Sequence, residues 1–358
     1  MKKKWLAALL AASMLVGLTG CGNGVTVDNV SQTLSQSEGQ EVTQPVTSEP
    51  EYDEDADTIQ TAPTRSGIIY ISGNRGYSTY GFSESNTLEY CRTVSQAAQE
   101  LQGVATVYNI AVPLACGIDF SNAVQEEMGW SNQGEVCDFI YDHLTNGAVA
   151  VPIYDTLRQH KTEYLYFRTD HHWTALGAYY AYQQFCEAKG VEPKALEDYE
   201  TMTFDNFLGS YYEDSGNNAA LGNSPDTLVA YLPDSTNEMT FTDRNGNVTP
   251  WKVVYDATDY SRGAKYNCFI GGDQPYEEIH NPTLNDGSAV LVVKESFGNA
   301  FVPFLVDDYQ DVYVVDYRYY NGSINTLCRE KGIDDVIFCN NLNATGTPSR
   351  ISDMQRIL

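Results

Sequence analysis

The sequence predicts an α/β protein with a mostly parallel sheet, helices on both faces of that sheet and a small inserted β-rich lobe. Short apolar runs alternate with helical patterns along much of residues 66–358 of the 358-residue chain, as in sheets whose strands are joined by helices. These runs are continuous, which is typical of strands covered on both faces. Residues from about 200 to 270 break the pattern with short β-like pieces rich in Asn, Asp, Gly, Ser and Thr. They predict the inserted lobe.

The N-terminus has the pattern of a bacterial lipoprotein signal peptide. Residues 1–4 are basic after the initial Met, and residues 5–18 form an apolar run that is too short for an ordinary spanning helix. The Leu-Thr-Gly-Cys sequence ending at Cys21 resembles a lipobox, which implies removal of residues 1–20 and lipidation of the Cys21 thiol. Plain secretion and an uncleaved N-terminal anchor are the alternatives. We therefore expect an exported protein, held at the cell membrane by its lipid and facing away from the cytoplasm.

An acidic tether is expected between the lipid and the folded part. Residues 22–64 contain nine acidic residues and no basic one, so residues 21–65 are predicted to be disordered. Over the whole chain, 48 Asp and Glu outnumber 21 Lys and Arg, which gives a formal net charge of −27. A nucleic-acid partner is therefore not expected, because binding phosphates requires a basic surface.

The predicted elements of the α/β part follow in chain order. Before the insertion they are strands at 67–71, 104–112, 148–153 and 164–167 and helices at 85–102, 132–144, 154–160 and from Thr174 onward. After it they are strands at 289–293, 312–315 and 336–339 and a helix from Ser323 to Gly332. The 289–293 run, Ala-Val-Leu-Val-Val, is the strongest strand signal in the chain.

Two segments place catalytic residue types at the ends of predicted strands. Asp170 and His172 follow the 164–167 run, and in an extended chain they point to the same side. An aspartate that accepts from one ring nitrogen of a histidine leaves the other nitrogen free to act as a base. Ser296 follows the 289–293 strand and precedes a helix-like segment, where backbone N–H groups can hold an oxyanion. These three residues are therefore the candidates for nucleophilic catalysis.

Other roles remain open for the same residues. Asp170, His171 and His172 are all metal-ligand types, but no third ligand of obvious spacing accompanies the histidines, and no metal or cofactor is predicted. The loop could also be purely structural. Taken alone, Ser296 would be a helix cap.

The motifs TDHHW, KESFGNAFVPFL and VVDYRYYN resemble the bacterial DHHW family, across most of residues 66–358. That family belongs among the SGNH-hydrolase-like proteins, which have a flavodoxin-like sheet, and is similar to the bacterial alginate O-acetylation proteins. The resemblance implies that Ser296 is the nucleophile, His172 the base and Asp170 the residue that orients it. The aspartate that usually precedes the serine is Glu295 here.

The remaining site candidates are less tightly defined. Oxyanion donors are expected from the Ser296 N–H and from Gly271, Gly272 or Asn299. Arg318 ends a predicted strand at the same edge and would bind an acyl oxygen or a sugar hydroxyl, or else form an ion pair with Asp316. His171 is expected to be structural or to face the substrate.

The function implied by this resemblance is acyl transfer through an acyl-serine. The protein would be an O-acetyltransferase or O-acetylesterase acting on a cell-envelope or exported glycan or on an acetylated small molecule, beside a membrane-bound O-acyltransferase that delivers acetyl groups. The alternative is a non-catalytic glycan-binding or assembly lipoprotein that keeps the fold. Seven cysteines remain after Cys21. That number is odd, so full pairing is impossible, although one disulfide stays open.

Overall fold

The computed structural model describes residues 55–358. The predicted signal peptide, the lipidation of Cys21 and most of the acidic tether lie outside the described residues. Within residues 55–358, no helix is long and apolar enough to cross a membrane. The end of the predicted tether packs on the domain, because the Ile59 N–H donates to the Asp119 carbonyl at 2.7 Å. Ordered chain therefore begins before residue 66, earlier than the sequence predicts.

The described residues contain thirteen strands, numbered in chain order. They are β1 (Thr64–Ser66), β2 (Ile69–Ser72), β3 (Arg75–Tyr77), β4 (Thr106–Val112), β5 (Val149–Ala150), β6 (Glu200–Phe207), β7 (Asp226–Leu232), β8 (Glu238–Thr242), β9 (Val248–Lys252), β10 (Tyr276–His280), β11 (Ala289–Lys294), β12 (Asp311–Asp316) and β13 (Asp335–Asn341).

The α-helices are α1 (Glu84–Glu100), α2 (Ala115–Asp119), α3 (Asn122–Glu127), α4 (Gln133–Asp142), α5 (Tyr154–Gln159), α6 (Ala175–Lys189), α7 (Ser210–Asp214), α8 (Ala219–Gly222), α9 (Ile324–Lys331), α10 (Leu342–Thr345) and α11 (Pro348–Arg356). Short 3₁₀ helices span Leu196–Asp198, Arg262–Cys268, Ser296–Ala300 and Val302–Leu305.

An eight-stranded sheet organises the domain, in the order β5-β4-β13-β11-β12-β10-β8-β9. The first five strands in that order are parallel to one another, and β10, β8 and β9 continue the sheet in antiparallel fashion. The three central parallel strands, β13, β11 and β12, are almost wholly buried, as their continuous apolar sequences predict. The mostly parallel α/β fold predicted from the sequence is thus confirmed.

Helices cover both faces of this sheet. Tyr108 of β4 packs edge-on against Phe185 of α6 at a ring separation of 5.1 Å. The next residue, Asn109, accepts a hydrogen bond from Tyr90 of α1. Successive side chains in a strand point to opposite faces, so α6 and α1 lie on opposite sides of the sheet.

The β-rich segment predicted at about 200–270 divides between two places. Strands β6 and β7 pair only with each other, as expected for an inserted lobe. Strands β8 and β9 join the edge of the central sheet through β10. The segment is β-rich, as predicted, but half of its strands extend the main sheet because β10 offers them an unpaired edge.

Three predicted strands differ in the structure. The 67–71 run becomes β2 of a separate three-stranded sheet, β1-β2-β3. The 148–153 run shortens to β5, since Pro152 cannot donate to a ladder. Residues 164–167 form only an isolated bridge between Tyr166 and Trp173. There the backbone groups bond within the loop, with the Phe167 N–H donating to the His172 carbonyl at 3.2 Å.

Candidate active site

The end of β11 presents Ser296 in a turn, which we call the serine turn (Ser296–Ala300), at the C-terminal edge of the parallel strands. Ligands of open α/β sheets bind at this edge. The Glu295 side chain caps the turn by accepting from the Phe297 N–H at 3.2 Å. It also accepts from the Asn341 N–H at the end of β13, at 3.0 Å. Glu295 thus ties the turn to the neighbouring strand, and burial raises the pKa of its carboxyl.

The loop before α6 holds Asp170 and His172. The Asp170 carboxylate accepts from the Nδ1 of His172 at 2.5 Å and from its backbone N–H at 3.1 Å. Its other oxygen accepts from the Ser210 N–H at 2.9 Å. An added Cβ at Gly209 would clash with this carboxylate, so the absence of a side chain at Gly209 gives Asp170 its room.

The structure brings Asp170, His172 and Ser296 into one hydrogen-bonded line. The Nε2 of His172 lies 2.7 Å from the Oγ of Ser296, while Nδ1 is bonded to Asp170. Burial alone would raise the pKa of Asp170, but the charges of His172 and His171 and the hydrogen bonds from His172 and Ser210 lower it below its usual range. The carboxylate is therefore ionised, and this arrangement can withdraw the Ser296 proton and stabilise the imidazolium that results.

Sequence reasoning missed three residues that fix this line. The ring of Tyr266 stacks on His172 at 3.9 Å with an interplanar angle of 8°, and its hydroxyl donates to the Ser296 carbonyl at 2.9 Å. The fully buried Asp226 accepts from the Arg168 and Thr169 N–H groups, both at 2.9 Å. Tyr266, Asp226 and Gly209 lie 36 to 93 residues beyond the end of the DHHW motif at Trp173, and no local pattern marks them.

The other predicted residues fall into two groups. Asn299 lies in the serine turn and Arg318 contacts Asp273 beside it, but Arg318 is also paired with Asp316 at 2.8 Å, the ion-pair alternative open at the sequence level. The Gly272 N–H donates to the Phe269 carbonyl at 2.9 Å and is not free for an oxyanion. Gly271, with a left-handed φ of 73°, packs under the ring of Trp251 instead.

His171 lies next to His172 without joining the hydrogen-bonded line. Its Nδ1 is 2.8 Å from the Ser210 hydroxyl, and its side chain is 40% exposed. The ligand atoms of Asp170, His171 and His172 lie within 4.8 Å of one another, so a metal is geometrically conceivable. However, both ring nitrogens of His172 are already hydrogen-bonded, Nδ1 to Asp170 and Nε2 to Ser296, so neither is free to bind a metal.

A parallel sheet with a serine turn at its C-terminal edge and an Asp-His pair facing it defines an SGNH-like protein. The family model described as DHHW protein matches residues 40–315, and the chain belongs to this family. No curated protein matched the sequence.

Several solved structures are similar to this chain. A DHHW family protein from Eubacterium siraeum is 27% identical, with a TM-score of 0.74 over 84% of this chain and 98% of that chain. Bacillus cereus PatB1 is 19% identical, with a TM-score of 0.66 over 82% of this chain and all of that one; it has also been solved with a sulfonyl adduct. The O-acetyltransferase domain of Pseudomonas putida AlgJ is a weaker match, 13% identical with a TM-score of 0.42 over 82% of this chain and 98% of that chain.

Proposed function

We propose that this protein transfers acyl groups, most simply acetyl, through an acyl-serine at Ser296. The observation that supports this is the hydrogen-bonded line of Asp170, His172 and Ser296. The buried Asp170 carboxylate lies 2.5 Å from His172 Nδ1, and His172 Nε2 lies 2.7 Å from the Ser296 Oγ. This is the geometry of an activated nucleophile. A structural loop or a simple helix cap has no need of this alignment.

The reaction takes two half-steps. His172 Nε2 accepts the Ser296 proton as Oγ attacks the ester carbonyl, and the tetrahedral adduct collapses as the same nitrogen protonates the leaving alcohol. His172 then accepts a proton from the acceptor hydroxyl as that oxygen attacks the acyl-serine, and the second adduct collapses as His172 returns the proton to the Ser296 Oγ, which regenerates the free serine. The Ser296 backbone N–H, at the start of the turn, is the proposed oxyanion donor.

We infer that the acceptor is a glycan of the cell envelope or an exported glycan, with an acetylated small molecule as the simplest donor. With water as acceptor the same steps give an esterase. The signal-like N-terminus supports an exported protein that is anchored through lipidated Cys21. A membrane-bound O-acyltransferase would deliver acetyl groups to it.

The test uses the full chain in detergent with 4-nitrophenyl acetate and, as a covalent probe, a sulfonyl fluoride, because PatB1 of the same fold has been solved with a sulfonyl adduct. We expect nitrophenol release and an adduct on the peptide that contains Ser296. Ser296→Ala should lose the adduct and most of the turnover. Ser288→Ala, which removes a hydroxyl bonded to the exposed Asp286, should retain both.

Two outcomes would contradict the proposal. One is ester cleavage that Ser296→Ala leaves intact. The other is glycan binding with neither cleavage nor adduct, which would favour the non-catalytic binding lipoprotein instead.

A further inference from the structure

We propose that the carboxylate of Asp273 forms the acceptor side of the Ser296 site, where it accepts hydrogen bonds from glycan hydroxyls and excludes acceptors that carry carboxylates, such as uronates. This inference rests on the proposed acyl-transfer function and adds a class of acceptor to it.

Asp273 borders the serine turn. Its Oδ1 accepts from the Nδ2 of Asn299, within that turn, at 3.1 Å. The 3₁₀ helix Arg262–Cys268, which precedes Asp273 in the chain, supplies the Tyr266 ring that stacks on His172. The carboxylate therefore lies next to both the element that carries the nucleophile and the element that covers the base.

The Asp273 carboxylate is fixed, charged and partly open to solvent. Its Oδ2 lies 2.9 Å from Arg318 and its Oδ1 lies 3.7 Å from Lys294. Against the effect of burial, these two cations, the Asn299 hydrogen bond and the charge of His172 lower the pKa of Asp273 to about 2. The side chain is 30% exposed, so an ionised oxygen acceptor is presented at the site.

Arg318 and Lys294 are each shared between Asp273 and Asp316, so this group of two cations and two carboxylates has no surplus positive charge. Arg318 makes two bonds to Asp316, from Nε at 2.8 Å and from Nη2 at 2.5 Å, in addition to its contact with Asp273. Lys294 is fully buried and lies between Asp273 and Asp316. An acceptor carboxylate would thus meet the exposed oxygen of Asp273 with no surplus cation to pair with, because Asp273 is 30% exposed and Lys294 is buried, whereas a hydroxyl could donate to that oxygen.

The amide oxygen of Asn299 adds to the acceptor character of this spot. Asn299 is 1% exposed, and its Oδ1 has no hydrogen-bond partner among the described residues. Both Asp273 and Asn299 therefore present oxygen lone pairs. The net charge of −27 repels a polyanionic glycan from a distance as well.

The experiment compares two acceptors that differ only in charge. The full chain is supplied with 4-nitrophenyl acetate and either oligogalacturonate or the same oligomer with its carboxylates converted to primary amides. Acetyl esters on the oligomer are measured by mass spectrometry, and nitrophenol release is recorded in the same reactions. We expect the amide form to be acetylated about tenfold faster or more, because juxtaposed like charges are strongly unfavourable. This preference should shrink in high salt.

Variants separate charge from shape. Asp273→Asn should reduce the preference for the amide form at least severalfold, and Asp273→Glu, which keeps the charge, should retain it. Asp311→Asn is the matched control, because Asp311 is 28% exposed, pairs with His280 and begins β12 at the opposite edge of the sheet. It should leave the preference unchanged. If Asp273→Asn does not fold, the salt dependence of the preference and the Asp273→Glu variant still test the role of the Asp273 charge.

The results distinguish this inference from the proposed function. Equal acetylation of both oligomers, with ester cleavage intact, would overturn the role of Asp273 and leave acyl transfer standing. If neither oligomer is acetylated, their inhibition of ester cleavage is compared, and equal inhibition would overturn the inference too. Absence of both cleavage and adduct would remove the proposed function itself.

Discussion

Hydrogen bonds fix the two ring nitrogens of His172, and an aromatic ring fixes its plane. Asp170 and Ser296 take Nδ1 and Nε2, so the tautomer follows from the ionised carboxylate. Tyr266 covers one face of the imidazole and also holds the serine backbone. One residue therefore couples the orientation of the His172 ring to the position of the Ser296 backbone.

Replacing Tyr266 tests this coupling. Tyr266→Phe keeps the stack and loses the bond to the Ser296 carbonyl, which is worth about 1 kcal/mol, so kcat/KM for an acetyl ester should fall about fivefold. Tyr266→Leu also loses the aromatic contact and should fall further, mainly in kcat. Tyr180→Phe removes an equivalent bond to Glu163 on an exposed part of α6 and should have no effect. Equal losses in the two Tyr266 variants would show that the stack contributes nothing.

At the scale of elements, β10 carries an ionisable residue into the interior. Glu277 is fully buried, and neither carboxyl oxygen has a hydrogen-bond partner among the described residues. Burial raises the pKa of Glu277 well above its usual value of 4.5, although the charge of Lys294 opposes this. Its neighbour Glu278 points to the other face and pairs with Lys331 at 2.8 Å.

The raised pKa of Glu277 makes stability fall with pH. Above pH 4.5 the unfolded chain releases this proton while the folded chain keeps it, so the free energy of unfolding decreases by up to about 1.4 kcal/mol per pH unit until the folded pKa is reached. Glu277→Gln removes this dependence. The free energy of unfolding of the variant, relative to wild type, should therefore rise from about pH 5 to about pH 7, as measured by urea unfolding. The carboxyl of Glu278 has a lowered pKa, so Glu278→Gln should show no such rise. A constant difference across pH would mean that Glu277 is ionised in the fold.

Elements differ in how far the sequence determines them. Strands β11, β12 and β13 could be predicted because burial on both faces demands a continuous apolar run. The 164–167 run looks the same in sequence, yet its backbone bonds close the DHHW loop. Whether β8 and β9 join the main sheet depends on β10, more than twenty residues further on. The candidate Ser-His-Asp line could be predicted from motifs, whereas Tyr266, Asp226 and Gly209 are defined only by tertiary contacts.

At the scale of the whole molecule, one hydrophobic cluster extends through the central sheet and its covering helices. The seven cysteines of residues 55–358 are distributed widely through this core. They are Cys91 in α1, Cys116 in α2, Cys137 in α4, Cys186 in α6, Cys268 in the 3₁₀ helix before Asp273, Cys328 in α9 and Cys339 in β13. All seven are buried free thiols. The disulfide left open by the sequence is therefore not present among the described residues.

The seven thiols should report on cooperative unfolding of the domain. Burial raises the pKa of Cys91, Cys116, Cys186 and Cys328 to about 12 each, so near neutral pH the native core holds almost no reactive thiolate. We expect the native protein to resist a thiol reagent and the urea-unfolded protein to react at all seven positions. Because the thiols lie in seven different elements, they should share one labelling rate. Val248→Cys places a thiol at a site that is 66% exposed and should react at once, which shows that the reagent is active. Rapid labelling of a subset in the native protein would instead reveal an element that opens independently, and mapping the labelled cysteine would identify it.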